Sequence, residues 1–188
     1  MKRVAVLFAT REGHTRKIAE RVAEDLRAAG VEAEAHNLSG KPDIDLEGFS
    51  GAILAGSVHA HKHEKELTKF VQTHRDALDR IPTALLSVTL SEAGVERPDY
   101  TVEERAKAAA DVQELIDAFE RETGWHPDHE VPVAGALLYS KYNLLIRFIM
   151  KQIAKRQRAD TDTSRDYEYT NWDSLDRFAR EFAAEVMV

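Results

Sequence analysis

The 188 residues predict a doubly wound α/β fold: a five-stranded parallel sheet in the order 2-1-3-4-5, covered by helices on both faces. Three observations predict it. Short apolar runs alternate with stretches of helical periodicity along the whole chain. Most of the runs are continuously apolar, as strands buried on both faces must be. The turn after the first run opens directly onto a helix. One domain spanning residues 1–188 is expected, with a basic amphipathic insertion at about residues 140–168, between the fifth strand and the last helix.

The first strand is Val4, Ala5, Val6, Leu7, Phe8 and Ala9, and Ile18, Ala19, Val22, Ala23 and Leu26 form the apolar face of the helix that follows it, ended by Gly30. Residues 31–35 alternate like a half-buried edge strand. Residues 51–57 read as a fully buried third strand, after which Leu67, Phe70, Val71, His74 and Leu78 line a second helix. Pro82 opens a fourth strand over residues 84–89. Thr101 and Glu104 have the spacing of a capping box, starting a helix that runs through Val112, Leu115, Ile116 and Phe119 to Gly124. Residues 131–139 make the fifth strand. Asn171 or Thr170 caps a last helix carrying Trp172, Leu175, Phe178, Ala179 and Phe182. Roughly thirty residues separate the fifth strand from that helix, where about two to six would suffice.

Composition narrows the chemistry. With no cysteine, disulfides, thiolate catalysis and cysteine-held zinc or iron–sulfur sites are excluded. No apolar stretch approaches the ~20 residues that span a bilayer, and no signal peptide is expected. The net charge is −7, yet residues 131–159 contain six basic residues and no acidic one. An acidic body with one basic segment points to a local anionic partner and away from nucleic acid.

The loop after the first strand, Thr10, Arg11, Glu12, Gly13, His14 and Thr15, sits where a helix N-terminus offers unpaired N–H groups and the positive end of its dipole. Such a turn holds a terminal phosphate without a cationic side chain. It lacks the glycine-lysine pattern of a nucleoside-triphosphate loop and the G-x-G-x-x-G of a dinucleotide fold. In the 2-1-3-4-5 order, a ligand sits at the carboxyl ends of strands one and three. Three loops meet there: residues 10–15, residues 57–63 and residues 87–94.

The T-x-x-G-x-T pattern after a first strand resembles the phosphate loop of the flavodoxins, giving a flavodoxin-like fold. The later motifs sharpen this. Ser87-Val88-x-Leu90, Ala134-Gly135-Ala136-Leu137-x-Tyr139, Arg147-Phe148-Ile149-Met150-Lys151, Asp160-Thr161-Asp162-Thr163-x-Arg165 and Tyr169-Thr170-x-Trp172 are similar to the bacterial quinone-dependent protoporphyrinogen IX dehydrogenases, a flavodoxin-fold family with a long insertion at this place. The resemblance spans essentially the whole chain. It implies FMN as cofactor, a porphyrinogen as substrate, oxidation of protoporphyrinogen IX to protoporphyrin IX, and a membrane quinone as acceptor. It also implies a cytoplasmic location, peripheral at the inner face of the cell membrane.

The expected FMN contacts are Thr10, Arg11, Glu12, Gly13, His14 and Thr15 for the phosphate, and Ser57, Val58, His59, Ala60, His61, Ser87, Val88, Thr89, Leu90 and Ser91 for the ring. His59 or His61 is the candidate base. His59, His61 and His63 with Glu64 and Glu66 also offer a divalent-metal reading, but no metal site is expected because a clear fourth ligand is lacking. No aromatic ring follows strands three and four closely enough to stack on a flavin, so that role falls to His59, His61, Tyr139 or Tyr142, or stays unfilled. In the insertion, Arg147, Lys151, Lys155 and Arg158 recur on one helical face, with Leu145, Ile149 and Ile153 on the other. These basic residues, with Lys141, are expected to meet substrate propionates or an anionic membrane surface. Docking of the apolar face on the domain is the competing reading. Two other functions fit the same fold: an electron-carrying flavodoxin and a flavin-free interaction module.

Overall fold

In a computed structural model, which describes residues 1–40, 44–156 and 158–188, β1 (Arg3–Ala9), α1 (His14–Ala28), β2 (Glu32–Asn37), β3 (Gly51–His59), β4 (Lys62–His63), α2 (Lys65–Leu78) and β5 (Thr83–Thr89) form the first half. The second half comprises α3 (Val102–Thr123), β6 (His129–Ala134), β7 (Ala136–Leu137), α4 (Leu144–Arg156), β8 (Tyr167–Glu168) and α5 (Trp172–Met187). The five long strands are parallel in the order β2-β1-β3-β5-β6, the expected doubly wound sheet. β4 adds a short antiparallel hairpin to the end of β3.

The parallel order follows from burial on both faces. Val4, Val6 and Phe8 point to one side of β1 and pack with Ile18, Val22 and Leu26 of α1 and with Leu175, Ala179 and Phe182 of α5. Ala5, Leu7 and Ala9 point to the other, toward Leu67, Val71, Ile116 and Phe119 of α2 and α3. At Gly51 and Gly56 a β-carbon would come within 2.8 Å of Val186 and 2.5 Å of Leu67, so both glycines let helices lie tight on the sheet.

The helix signals act as the sequence suggests. Thr101 Oγ1 accepts from the Glu104 amide while Glu104 accepts from the Thr101 amide, closing the capping box. Asn171 caps α5 by accepting from the Ser174 amide.

The insertion differs from the sequence reading in three ways. The fifth strand stops at Ala134, where Gly135 donates its amide to the Thr89 carbonyl. Beyond it, β7 pairs antiparallel with β8, so the segment leaves and returns side by side. The helix starts only at Leu144, inside the insertion expected from about residue 140, because residues 139–141 make a 3-10 turn first. A separate apolar cluster anchors the segment: Leu137, Tyr139 and Ala154 are buried, with Leu90, Tyr142, Met150 and Tyr169 packed around them. Gln157 and the side chain of Arg156, part of the basic segment, lie outside the described residues.

Candidate active site

Gly13 has φ +95°, a left-handed conformation that glycine adopts without penalty, and it turns the chain from β1 into α1. Its amide donates to Thr10 Oγ1 at 3.1 Å, which closes the loop. No side chain caps α1, and among the described residues the amides of His14, Thr15 and Arg16 have no recorded acceptor. A β-carbon built on Gly13 would meet nothing within 4 Å. Uncapped amides at the start of a helix fit a phosphate monoester.

One loop residue turns its side chain to the insertion. His14 is buried, and its Nε2 lies 2.7 Å from Thr170 Oγ1, whose hydroxyl donates to the Ala134 carbonyl at 2.7 Å. Thr170 therefore accepts from Nε2–H. Burial holds the His14 imidazole below its usual range, with nearby Glu168 opposing the shift. Glu168 also accepts from Lys17 Nζ and Trp172 Nε1, so the return arm of the insertion is fastened to the first turns of α1.

The second loop is the β3–β4 hairpin. Ala60 and His61 form its tip, both with positive φ (49° and 63°). Two successive left-handed residues match the twist of a tight hairpin, normally the work of Asn-Gly. The turn leaves Ala60, His61 and Lys62 exposed and directs His59 inward. His59 Nε2 lies 3.2 Å from Glu12 Oε2 and 3.4 Å from Glu64 Oε1. Glu64 is buried; it accepts from Ser57 Oγ at 3.2 Å and pairs with Arg11 Nε at 2.9 Å. Burial pushes the Glu12 carboxyl up, but neighbouring His59, its own backbone amide and Arg11 outweigh that and hold it below the usual range. Sequence reading offered Glu64 only as a ligand in the metal reading and gave it no place beside His59 and Arg11.

The third loop divides. Ser87 is fully buried in β5, and its Oγ is 2.9 Å from His63 Nε2. Val88 and Thr89 are also buried, and Thr89 Oγ1 accepts from the Ser91 amide. Leu90 and Ser91 are partly exposed and border a cavity of about 570 Å³ together with Arg97, Tyr100, Arg158 and Tyr169. That volume is in the range of small-molecule sites. Its two guanidinium groups are engaged: Arg97 with Asp99, and Arg158 with Glu104 while stacking on Tyr100.

The insertion helix is oriented opposite to a docked helix. Met150 and Ala154 face the domain, and Arg147 turns inward with them, donating to the carbonyls of Tyr139 (3.1 Å) and Tyr142 (3.4 Å). Leu144, Leu145, Phe148 and Ile149 are exposed, Leu144 by 83% and Phe148 by 62%. Arg147 and Arg158 thus serve the fold, whereas Lys151 and Lys155 are exposed and form no ion pair among the described residues. Lys141 is exposed near Asp166. Of the aromatic candidates, Tyr139 is buried with its hydroxyl donating to the Asp160 carbonyl, and Tyr142 lies half-buried close to Glu12.

Over the whole chain the pattern has relatives. A family model for the flavodoxin domain matches residues 5–164. The chain is 30% identical over 178 residues to the protoporphyrinogen IX dehydrogenase (quinone) of Escherichia coli K12, covering 95% of this chain and 93% of that one. The chain belongs to this flavodoxin-domain family of protoporphyrinogen IX dehydrogenases. A Leishmania major protein of the same name is 26% identical, over 95% of this chain and 74% of its own. Among solved structures, an archaeal flavodoxin superposes with a TM-score of 0.53 at 13% identity, covering 99% of both chains. A Streptococcus pneumoniae flavodoxin gives 0.51 at 18% identity, covering 97% of this chain and 99% of its own. As a member of the dehydrogenase family the chain is an oxidoreductase with a flavin cofactor. No helix among the described residues is long and apolar enough to cross a membrane.

Proposed function

We propose that this protein oxidises protoporphyrinogen IX to protoporphyrin IX with bound FMN, at an anionic membrane surface where a quinone takes the electrons. The uncapped α1 amides beside Gly13 carry the cofactor part of the reading, because they suit a terminal phosphate and the loop has no lysine for a triphosphate. When bound, the flavin supplies the two-electron redox chemistry. The chain's own residues bind and orient: residues 10–15 take the phosphate, while the β3–β4 hairpin and Leu90-Ser91 flank the ring. His59 and His61 are the candidates for moving the proton.

The membrane part rests on α4. Its exposed Leu144, Leu145, Phe148 and Ile149, edged by exposed Lys151 and Lys155, are what an interfacial helix presents to anionic lipid. The names of the relatives support a porphyrinogen and a quinone as the reactants. The experiment is anaerobic: the FMN-loaded protein is given protoporphyrinogen IX with and without a menaquinone analogue, and porphyrin fluorescence is followed. Quinone-dependent fluorescence over many turnovers is expected. A yellow protein that yields none would leave an electron carrier as the function.

A further inference from the structure

His59 sits in an asymmetric setting. Nε2 is sealed from solvent between the carboxylates of Glu12 and Glu64, at 3.2 and 3.4 Å, without a well-aligned hydrogen bond to either. The other ring nitrogen, Nδ1, is not among the sealed polar atoms, has no partner among the described residues, and belongs to a side chain 31% exposed. A neutral imidazole carries one proton and one lone pair. A lone pair on Nε2 would face two carboxylate oxygens and be repelled, so Nε2 bears the proton and Nδ1 the lone pair. A proton arriving at Nδ1 leaves the Nε2–H edge of the ring against the carboxylates of Glu12 and Glu64. Other charged and titratable groups border the cluster: Arg11 on Glu64, Lys62 paired across the hairpin, and Tyr142 of the insertion near Glu12.

We propose that His59 Nδ1 accepts the proton released in each two-electron oxidation of the porphyrinogen, and that Glu12 and Glu64 are positioning residues that fix its tautomer. The proposal rests on the dehydrogenase reading above. In each step a bridging methylene C–H breaks, and its electron pair and hydrogen pass as hydride to the flavin. In two of the three steps the pyrrole N–H electrons form the new C=N bond and the N–H proton moves to Nδ1 and then to solvent; in the third the proton comes from the last bridging methylene, whose C–H electrons form a ring C=C bond. Glu12 thereby changes role, from a contact for the phosphate to a support for the base, and Glu64 enters the site.

Nitrogen NMR of labelled histidine in the cofactor-free protein tests the geometry without activity, with His59→Gln assigning the signal. The neutral ring is expected as the Nε2–H tautomer, drifting toward the other in Glu12→Gln and Glu64→Gln. A wild-type His59 protonated on Nδ1 overturns the proposal. In the FMN-loaded enzyme, His59→Ala is expected to lower kcat by about 10²–10⁴, partly restored by added imidazole. Glu64→Gln, or Glu12→Gln should the buried change fail to fold, is expected to lower kcat about tenfold or more, with KM and FMN affinity little changed. An unchanged kcat in His59→Ala overturns the proposal alone. Wild-type protein that binds FMN but oxidises no porphyrinogen overturns the functional reading and the proposal with it.

Discussion

Gly13 shows how much one backbone angle decides. Any β-carbon there is strained by φ +95° even though space is open around it, so the cost is conformational. Gly13→Ala is expected to lose about 1–2 kcal/mol of stability and to weaken FMN binding, read by urea denaturation and by quenching of flavin fluorescence. His63 offers a test with a defined sign. Burial against β5 and Phe119 depresses its imidazole to about 4. The unfolded chain then binds more protons than the folded one below pH 6.5, so stability present above 6.5 is lost as pH falls toward 4, by about 3 kcal/mol at most. Glu92 acts oppositely: burial and Glu96 raise it to about 7, and its contribution fades as pH rises from 4.5 through 7. Being only half-buried, it is the more screened of the two. Comparing wild type with His63→Gln isolates the histidine, and the variant should show the shallower loss between pH 6.5 and 4. Parallel curves would remove His63 as the cause. At this scale the sequence was informative where chemistry is local. The hydroxyls and glycine of the first loop announce themselves, whereas Glu64 is defined by Arg11 and Ser57, partners that only the fold brings near.

Among the elements, α4 and the β3–β4 hairpin separate what periodicity reveals from what it hides. Apolar and basic residues repeat at helical spacing in α4, but spacing does not say which face looks inward. The answer came from Arg147, which finds two backbone carbonyls, and from the small Ala154, which lets the helix approach Tyr139. The hairpin was hidden for another reason: Ala60-His61 lacks the Asn or Gly that usually marks such a turn. Two substitutions distinguish the faces of α4. Phe148→Ser is expected to reduce binding to anionic phospholipid vesicles severalfold while stability stays within about 0.5 kcal/mol, since the ring is exposed. Arg147→Ala should instead destabilise by about 1–3 kcal/mol by removing a charged donor from two carbonyls. Vesicle co-sedimentation and thermal melts read the two effects separately. Equal vesicle binding by Phe148→Ser and wild type would argue against an interfacial α4.

At the level of the whole molecule, the sheet brings three loops from distant parts of the sequence to one edge, and the strand order alone predicted where. The alternation of buried runs and helical stretches sufficed for that, because a parallel sheet covered on both faces leaves few other topologies. Ligand linkage tests the result: FMN at a hundred times its Kd is expected to stabilise the fold by about 2.7 kcal/mol, a rise of roughly 5–11 °C in melting temperature. ATP and NAD at the same concentrations should leave it unmoved. The short pairing of β7 with β8 has a different kind of consequence. Because the chain departs at Gly135 and comes back beside its own point of departure, the parallel sheet carries no record of what lies between. That junction works as a mounting bracket: evolution, or a protein engineer, can lengthen, shorten or replace the attachment and leave the catalytic chassis as it was.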